Sequence, residues 1–136
     1  IKLNDPKQDK YMRLVSNRKT WNEPRGLELE INPAHGRINF CGGAVSPDQQ
    51  GVVRYRFDNE WHHLAAVLCD NTVIIYIDGK KAGEDTQTAM PAPTDTPLFI
   101  GCSPSGSEIF NGSIDNLMLY NRAISEEEIE ALIHQK

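Results

Sequence analysis

Carboxylates and histidines are the residues of this chain best suited to chemistry, and their spacing decides what they can do. Glu126, Glu127, Glu128 and Glu130 crowd one short segment. On a helix such residues fan outward around the axis, away from any cleft, which suits capping and solvation better than acid–base catalysis. Glu28 and Glu30 stand two apart and share a strand face, but Leu27, Leu29 and Ile31 alternate with them, the pattern of a solvated strand side. Glycosidase chemistry asks for two carboxylates held about 5 to 9.5 Å apart across a cleft, and no strand offers an inward pair. His62 and His63 are adjacent, so in a strand they point to opposite faces and cannot jointly grip a metal. His63 shares its face with Trp61, Ala65 and Val67 and reads as a packed, hydrogen-bonded histidine, while His35 falls in a turn and His134 at a helix end, where a cation suits the dipole. No nucleophile elbow, Ser/His/Asp order or phosphate loop is present. Catalysis therefore finds no foothold.

Binding finds two. Trp21 sits in a polar loop with Asn22, Glu23 and Arg25, joining an aromatic platform to planar polar groups. That pairing recognises sugars, whose rings offer C–H faces to stack and hydroxyls to hydrogen-bond; the structural alternative is that the loop packs onto the body of the fold. Asp115 opens the apolar side of a strand, on the face of Leu117 and Leu119, with Ile114, Asn116, Met118 and Tyr120 opposite. A carboxylate so placed needs partners, either calcium or the backbone donors of a turn. Asn111-Gly112-Ser113 has the form of a glycosylation acceptor.

The elements that must hold these residues are strands. Period-two alternation marks residues 11–17, 26–32, 37–41, 52–57, 61–69, 72–78, 97–101 and 113–121. Turn chemistry separates them, and L-C-D-N-T-V-I-I-Y-I-D-G-K-K-A-G reads as two consecutive hairpins, because Asp-Asn and Asp-Gly tolerate positive φ. Residues 61–69 and 72–77 are apolar on both faces and belong at the centre, whereas L-E-L-E-I-N should be wet on one side. Two stacked antiparallel sheets satisfy both demands. The one helix is 125–136: Ser125 is its N-cap, Glu128 completes a capping box, and Ile129, Leu132 and Ile133 form a narrow apolar stripe.

A length of 136 residues suits one domain spanning 1–136, and 39% apolar with 24% charged residues is the ordinary globular mix. The net charge of -5 argues against a nucleic-acid partner. Arg13, Arg18, Lys19 and Arg25, interleaved with Glu23 and Glu28, read as a solvated face. No apolar run approaches the ~18 residues of a membrane span, and no leader opens the chain, so any targeting signal is expected outside it. Cys41, Cys69 and Cys102 each end an apolar run and fit small buried side chains; one disulfide with one free thiol is the alternative.

The blocks W-H-H-L-A-A-V-L (61–68), V-I-I-Y-I-D-G-K-K-A-G (73–83), P-L-F-I-G (97–101) and F-N-G-S-I-D-N-L-M-L-Y-N-R-A-I-S-E-E-E-I (110–129) resemble the laminin G-like, concanavalin A-like jelly-roll family. Residues 11–43 resemble its preceding strands. The family's opening segment, an F-D-G-type turn and a strand ending in a W-containing run, has no counterpart here, and Ile1-Lys2-Leu3 corresponds to the tail of that strand. The resemblance implies an all-β, antiparallel two-sheet sandwich with one short C-terminal helix. It further implies a secreted, cell-surface or periplasmic setting and a non-catalytic module that binds glycan or protein ligands within a larger protein. A structural or assembly domain, packed on neighbouring domains or on the missing N-terminal segment, is the alternative. The paired glutamates of the laminarinase-type relatives are expected to be missing. A structural calcium is implied at the position of Asp115, with further oxygens from the opening segment.

Overall fold

The computed structural model describes residues 1–20, 22–42, 51–87 and 90–135, without the side chains of residues 41, 42 and 51. Among these residues ten strands and one helix follow in order: β1 (Lys2–Leu3), β2 (Met12–Ser16), β3 (Leu27–Asn32), β4 (Arg37–Gly42), β5 (Gly51–Arg54), β6 (Leu64–Cys69), β7 (Thr72–Ile77), β8 (Lys80–Thr86), β9 (Phe99–Ile100), β10 (Gly112–Ser113) and α1 (Glu126–Ile133). They form a five-stranded sheet in the order β5-β4-β3-β2-β9, a three-stranded sheet β6-β7-β8 and a two-stranded ribbon β1-β10. Among the described residues every pairing between these strands is antiparallel.

The expected double hairpin is present. Asp78 and Gly79 both take positive φ, 52° and 79°, the backbone that a tight turn with right-handed strand twist demands. The two larger sheets meet face to face. Ile31, Ile38 and Val53 from one, and Val73, Ile75 and Ile77 from the other, build a core that Leu3, Met12, Leu14, Val15, Phe57 and Phe110 complete. Each such side chain contributes about 1.5–3 kcal/mol on burial. The outer face of β7 is covered as well, because Tyr76 and Val67 pack under Ile129 of α1, which has no exposed surface. Ser125 caps that helix with its side chain on the Glu128 amide, and Glu128 returns the bond to the Ser125 amide at 2.8 Å.

A β-bulge between Arg13 and Val15 sets the polarity of the five-stranded sheet. Strict alternation would put Arg13 on the face of Val15. The extra residue at Leu14 shifts the parity, so Val15 opposes Leu29 on the core side while Arg13 opposes Glu30 and Ser16 opposes Glu28 on the other.

Several expectations are corrected. The acidic side of L-E-L-E-I-N is not wet: Glu28 is 1% exposed and Glu30 7%. Arg13 and Arg18 are not a solvated face either, at 3% and 0%, because each is buried against those same carboxylates. Regular pairing of the closing strand stops at Ser113, so Asp115, Leu117, Met118, Leu119 and Tyr120 lie in irregular, exposed backbone and not on an apolar strand face. β6 begins at Leu64, after both histidines, and is only partly covered. Cys69 ends that strand exposed; it and the half-buried Cys102 are free thiols. The side chain of Cys41 lies outside the described residues.

Candidate functional site

The outer face of the five-stranded sheet carries a chain of buried charge. Arg13 Nη1 donates to Glu28 Oε2 and, at 3.0 Å, to Ser16 Oγ, the contact that the bulge makes possible. Arg18 Nη1 donates to the other Glu28 oxygen at 2.9 Å, so both oxygens of that carboxylate are held by guanidinium groups. Arg18 also reaches forward, donating from Nε and Nη2 to the Glu23 carbonyl at 3.1 and 2.7 Å. A buried cation thereby ties down the loop that follows β2.

Glu30 is the strained member of the set. Asn39 Nδ2 donates to its Oε1 at 2.6 Å, and Arg37 Nε fixes Asn39 in turn at 2.9 Å. Arg13 Nε is 3.9 Å from Glu30 Oε2. Burial, and then the nearby Glu28 charge, push the Glu30 carboxyl up to about 7 against the opposing pull of Asn39 and Arg13. A carboxylate with its pKa raised beside a second carboxylate is an arrangement that acid–base pairs exploit. Here it has no outlet, since both groups are buried and Glu28 is fully engaged, and it is read as a structural network.

At the Met12 end of β2 this network surfaces. Arg13 Nε lies 2.6 Å from Glu108 Oε2, an ion pair without hydrogen-bond alignment, and the Glu108 carbonyl accepts from the Arg13 amide at 2.9 Å. Glu108 has φ +52°, a conformation rare outside glycine and concentrated at functional positions. It borders an open groove of about 400 Å³ whose walls include Gln8, Lys10, Tyr11, Ser107 and Ile109. Ser107 closes a ring of hydroxyls with Ser103 and Ser105, each pair 2.9 Å apart. Asn111 donates from Nδ2 to Gln8 Oε1 at 2.8 Å and accepts from Asn4 at 3.0 Å. The amide of the glycosylation-like triplet is thus engaged within the fold. Nothing in the alternation pattern singled out Glu108; only its place beside Gly106 in a turn-rich loop hinted at special backbone.

Of the residues expected to bind ligand, Trp21 lies outside the described residues. Asn22 is exposed and accepts from Thr20 Oγ1 at 2.9 Å. Arg25 is exposed, its backbone bridged to Ala92, and the Gly26 amide donates to the Ala92 carbonyl at 2.9 Å. This loop lies at the Ser16 end of β2 and the groove at the Met12 end, with the buried charges between them.

Asp115 is exposed, and its Oδ1 accepts from the amide of Asn116, which has φ +50°. Calcium takes six to eight oxygens. Among the described residues no group of three or more Asp, Glu, His or Cys is arranged to hold a metal ion. The backbone turn at Asp115 and Asn116 is present.

Comparison with known proteins agrees with this architecture. The Laminin_G_3 family model, described as the concanavalin A-like lectin/glucanases superfamily, matches residues 1–130. Adhesion G-protein coupled receptor V1 of Danio rerio is 23% identical over 117 residues, which are 81% of this chain but only 2% of that receptor. Among solved structures, the Ruminococcus gnavus IT-sialidase CBM40 superposes with a TM-score of 0.55 at 18% identity, over 97% of this chain and 78% of its own. The same CBM40 bound to alpha2,3 sialyllactose gives 0.54. Residues 221-444 of an S-layer domain-containing protein from Clostridium thermocellum ATCC 27405 give 0.50 at 20% identity, with 98% of this chain and 66% of that one covered. Laminin G-like and carbohydrate-binding module domains are generally non-catalytic binding modules. With two sheets in antiparallel register, one capped helix and a match across nearly its whole length, this chain belongs to the concanavalin A-like lectin/glucanase superfamily, in its laminin G-like branch.

Proposed function

We propose that this domain is a recognition module of a larger extracellular protein, binding a glycan or protein partner through its surface and performing no chemistry. The observation that carries the reading is the open groove beside Tyr11 and Glu108. It is backed by a rigid ion network and placed at the end of a sheet whose own polar face is sealed. The carbohydrate-binding module and the S-layer and adhesion-receptor neighbours support the same reading. Asn22 and Arg25, exposed at the other end of β2, offer a second contact surface. No helix among the described residues is long and apolar enough to cross a membrane. The test is a glycan array probed with the purified domain; binding to no glycan at all sinks the carbohydrate form of the proposal. A structural calcium at Asp115 would draw its further oxygens from backbone carbonyls; dialysis against a chelator tests it, and an unchanged melting temperature overturns it.

An assembly role is favoured by a different observation. Leu117, Met118, Leu119 and Tyr120 are 41–63% exposed in succession, the kind of apolar surface that marks contact with another protein surface. Light scattering across a concentration series, with Leu119→Lys as the control, tests it: a domain that stays monomeric throughout argues against self-assembly through that run.

A further inference from the structure

We propose that the groove between residues 8–11 and 107–109 seats a neutral, hydroxyl-rich sugar unit, with Tyr11 as stacking platform and Glu108 as hydrogen-bond acceptor, and that it rejects carboxylated, sulfated or phosphorylated glycans. The inference rests on the recognition-module reading and names the ligand class for one surface of it.

Glu108 is built as a fixed acceptor. Its carbonyl is held by the Arg13 amide, its backbone is locked at φ +52°, and its Oε2 is pinned 2.6 Å from Arg13 Nε. The side chain remains 35% exposed, and its Oε1 accepts no hydrogen bond among the described residues. A carboxylate that is already ordered gives up little entropy on accepting a ligand hydroxyl, and the bond is charge-assisted. Tyr11 stands 39% exposed immediately before a fully buried strand, so its ring is available to a C–H face. Ile109, 66% exposed, gives a further apolar wall.

The remaining polar groups decide the ligand's charge. Gln8 Oε1 is occupied by Asn111, and the serine hydroxyls hydrogen-bond to one another. The acceptor on offer is therefore anionic. Arg13 cannot neutralise it fully, because Arg13 and Arg18 are two buried guanidiniums shared among the three carboxylates Glu28, Glu30 and Glu108. An anionic ligand would meet a fixed negative charge at contact distance, whereas Lys10 is exposed and solvated, and its attraction is largely screened. Hydroxyl donors fit; carboxylates and sulfates do not.

The experiment is calorimetric titration of the domain with neutral oligosaccharides of glucose, galactose or mannose, and with sialylated, sulfated and uronate-bearing ones. Wild-type protein, Tyr11→Ala, Glu108→Gln and Trp21→Ala are compared after circular dichroism has confirmed that each is folded. The expected result is binding of a neutral oligosaccharide that weakens about tenfold or more in Tyr11→Ala and in Glu108→Gln. Amide shifts at Tyr11 and Glu108 in the titrated wild-type protein should report the same site without any substitution. Binding lost in Trp21→Ala but retained by both groove variants overturns the groove and leaves the module reading standing. Preference for acidic glycans overturns the ligand class alone. No binding by the wild-type domain overturns both.

Discussion

Arg13 and Glu108 are joined twice, through a 2.9 Å backbone hydrogen bond and a 2.6 Å ion pair, although 95 positions separate them in sequence. The exposed groove is thereby fastened to the buried charges of β2 and β3. Removing Arg13 strips one of the two guanidinium partners from a carboxylate that is 1% exposed and leaves only Arg18 on it, and breaking a buried pair from one side costs up to about 3–5 kcal/mol. Arg13→Met is expected to destabilise the domain by that amount in urea denaturation. Arg13→Lys should recover only part of it, because an ammonium lacks the fork that reaches Ser16, Glu28 and Glu108 together.

Glu30 makes stability depend on pH in a direction opposite to most carboxylates. Its folded pKa, about 7, lies above the ordinary 4.5, so between those values the folded state holds the proton more tightly. Stability from this group is complete below pH 4.5 and falls as pH rises through 7, by about 3 kcal/mol in all. Denaturation of wild type and Glu30→Gln across pH 4 to 8 checks it. The gap between them should open in favour of Glu30→Gln as pH rises; a constant gap would mean that Glu30 titrates normally.

Much of this fold was legible in the sequence, and the part that was not has a definite cause. Hairpins, core strands and the capped helix follow from alternation, Asp-Gly turn chemistry and the Ser125–Glu128 spacing, all local signals. The buried face of L-E-L-E-I-N was misread because alternation reports that two faces differ, not that the polar one is wet. Burial there depends on Arg13 and Arg18, and Arg13 reaches that face only through a bulge that alternation does not reveal. Asp115 was misplaced because strand pairing ends two residues before it, at Ser113. The Glu108 groove was missed because it joins residues about 100 positions apart in two loops.

Gly112 has no room for a side chain. A Cβ there would sit 2.2 Å from the Lys2 carbonyl oxygen and 2.8 Å from the Phe110 ring, within the β1-β10 ribbon. Gly112→Ala must separate the ribbon or move Phe110 out of the core, and a loss of about 1–3 kcal/mol is expected. Faster hydrogen exchange at the Asn4 amide, which donates to the Asn111 carbonyl at 3.1 Å, would locate the damage.

The helix cap gives a local prediction. Ser125→Ala removes the bond to the Glu128 amide and should cost about 1 kcal/mol. Arg122 and the Ser125 amide hold the Glu128 carboxyl down at about 2. Its contribution is therefore present above the ordinary value of 4.5 and disappears as pH falls through 2. Carboxyl NMR titration reads that value directly, and a Glu128 midpoint near 4.5 would contradict it.

The bulge at Leu14 gives the five-stranded sheet two unlike adhesives, apolar packing on one side and desolvated ions on the other. These respond to temperature for different reasons. Apolar association weakens on cooling, while the penalty for stripping water from charge shrinks on heating. Both faces therefore weaken on chilling, the apolar one because the drive to bury it fades and the ionic one because stripping water from charge becomes costlier, so the sheet is held best in the warm.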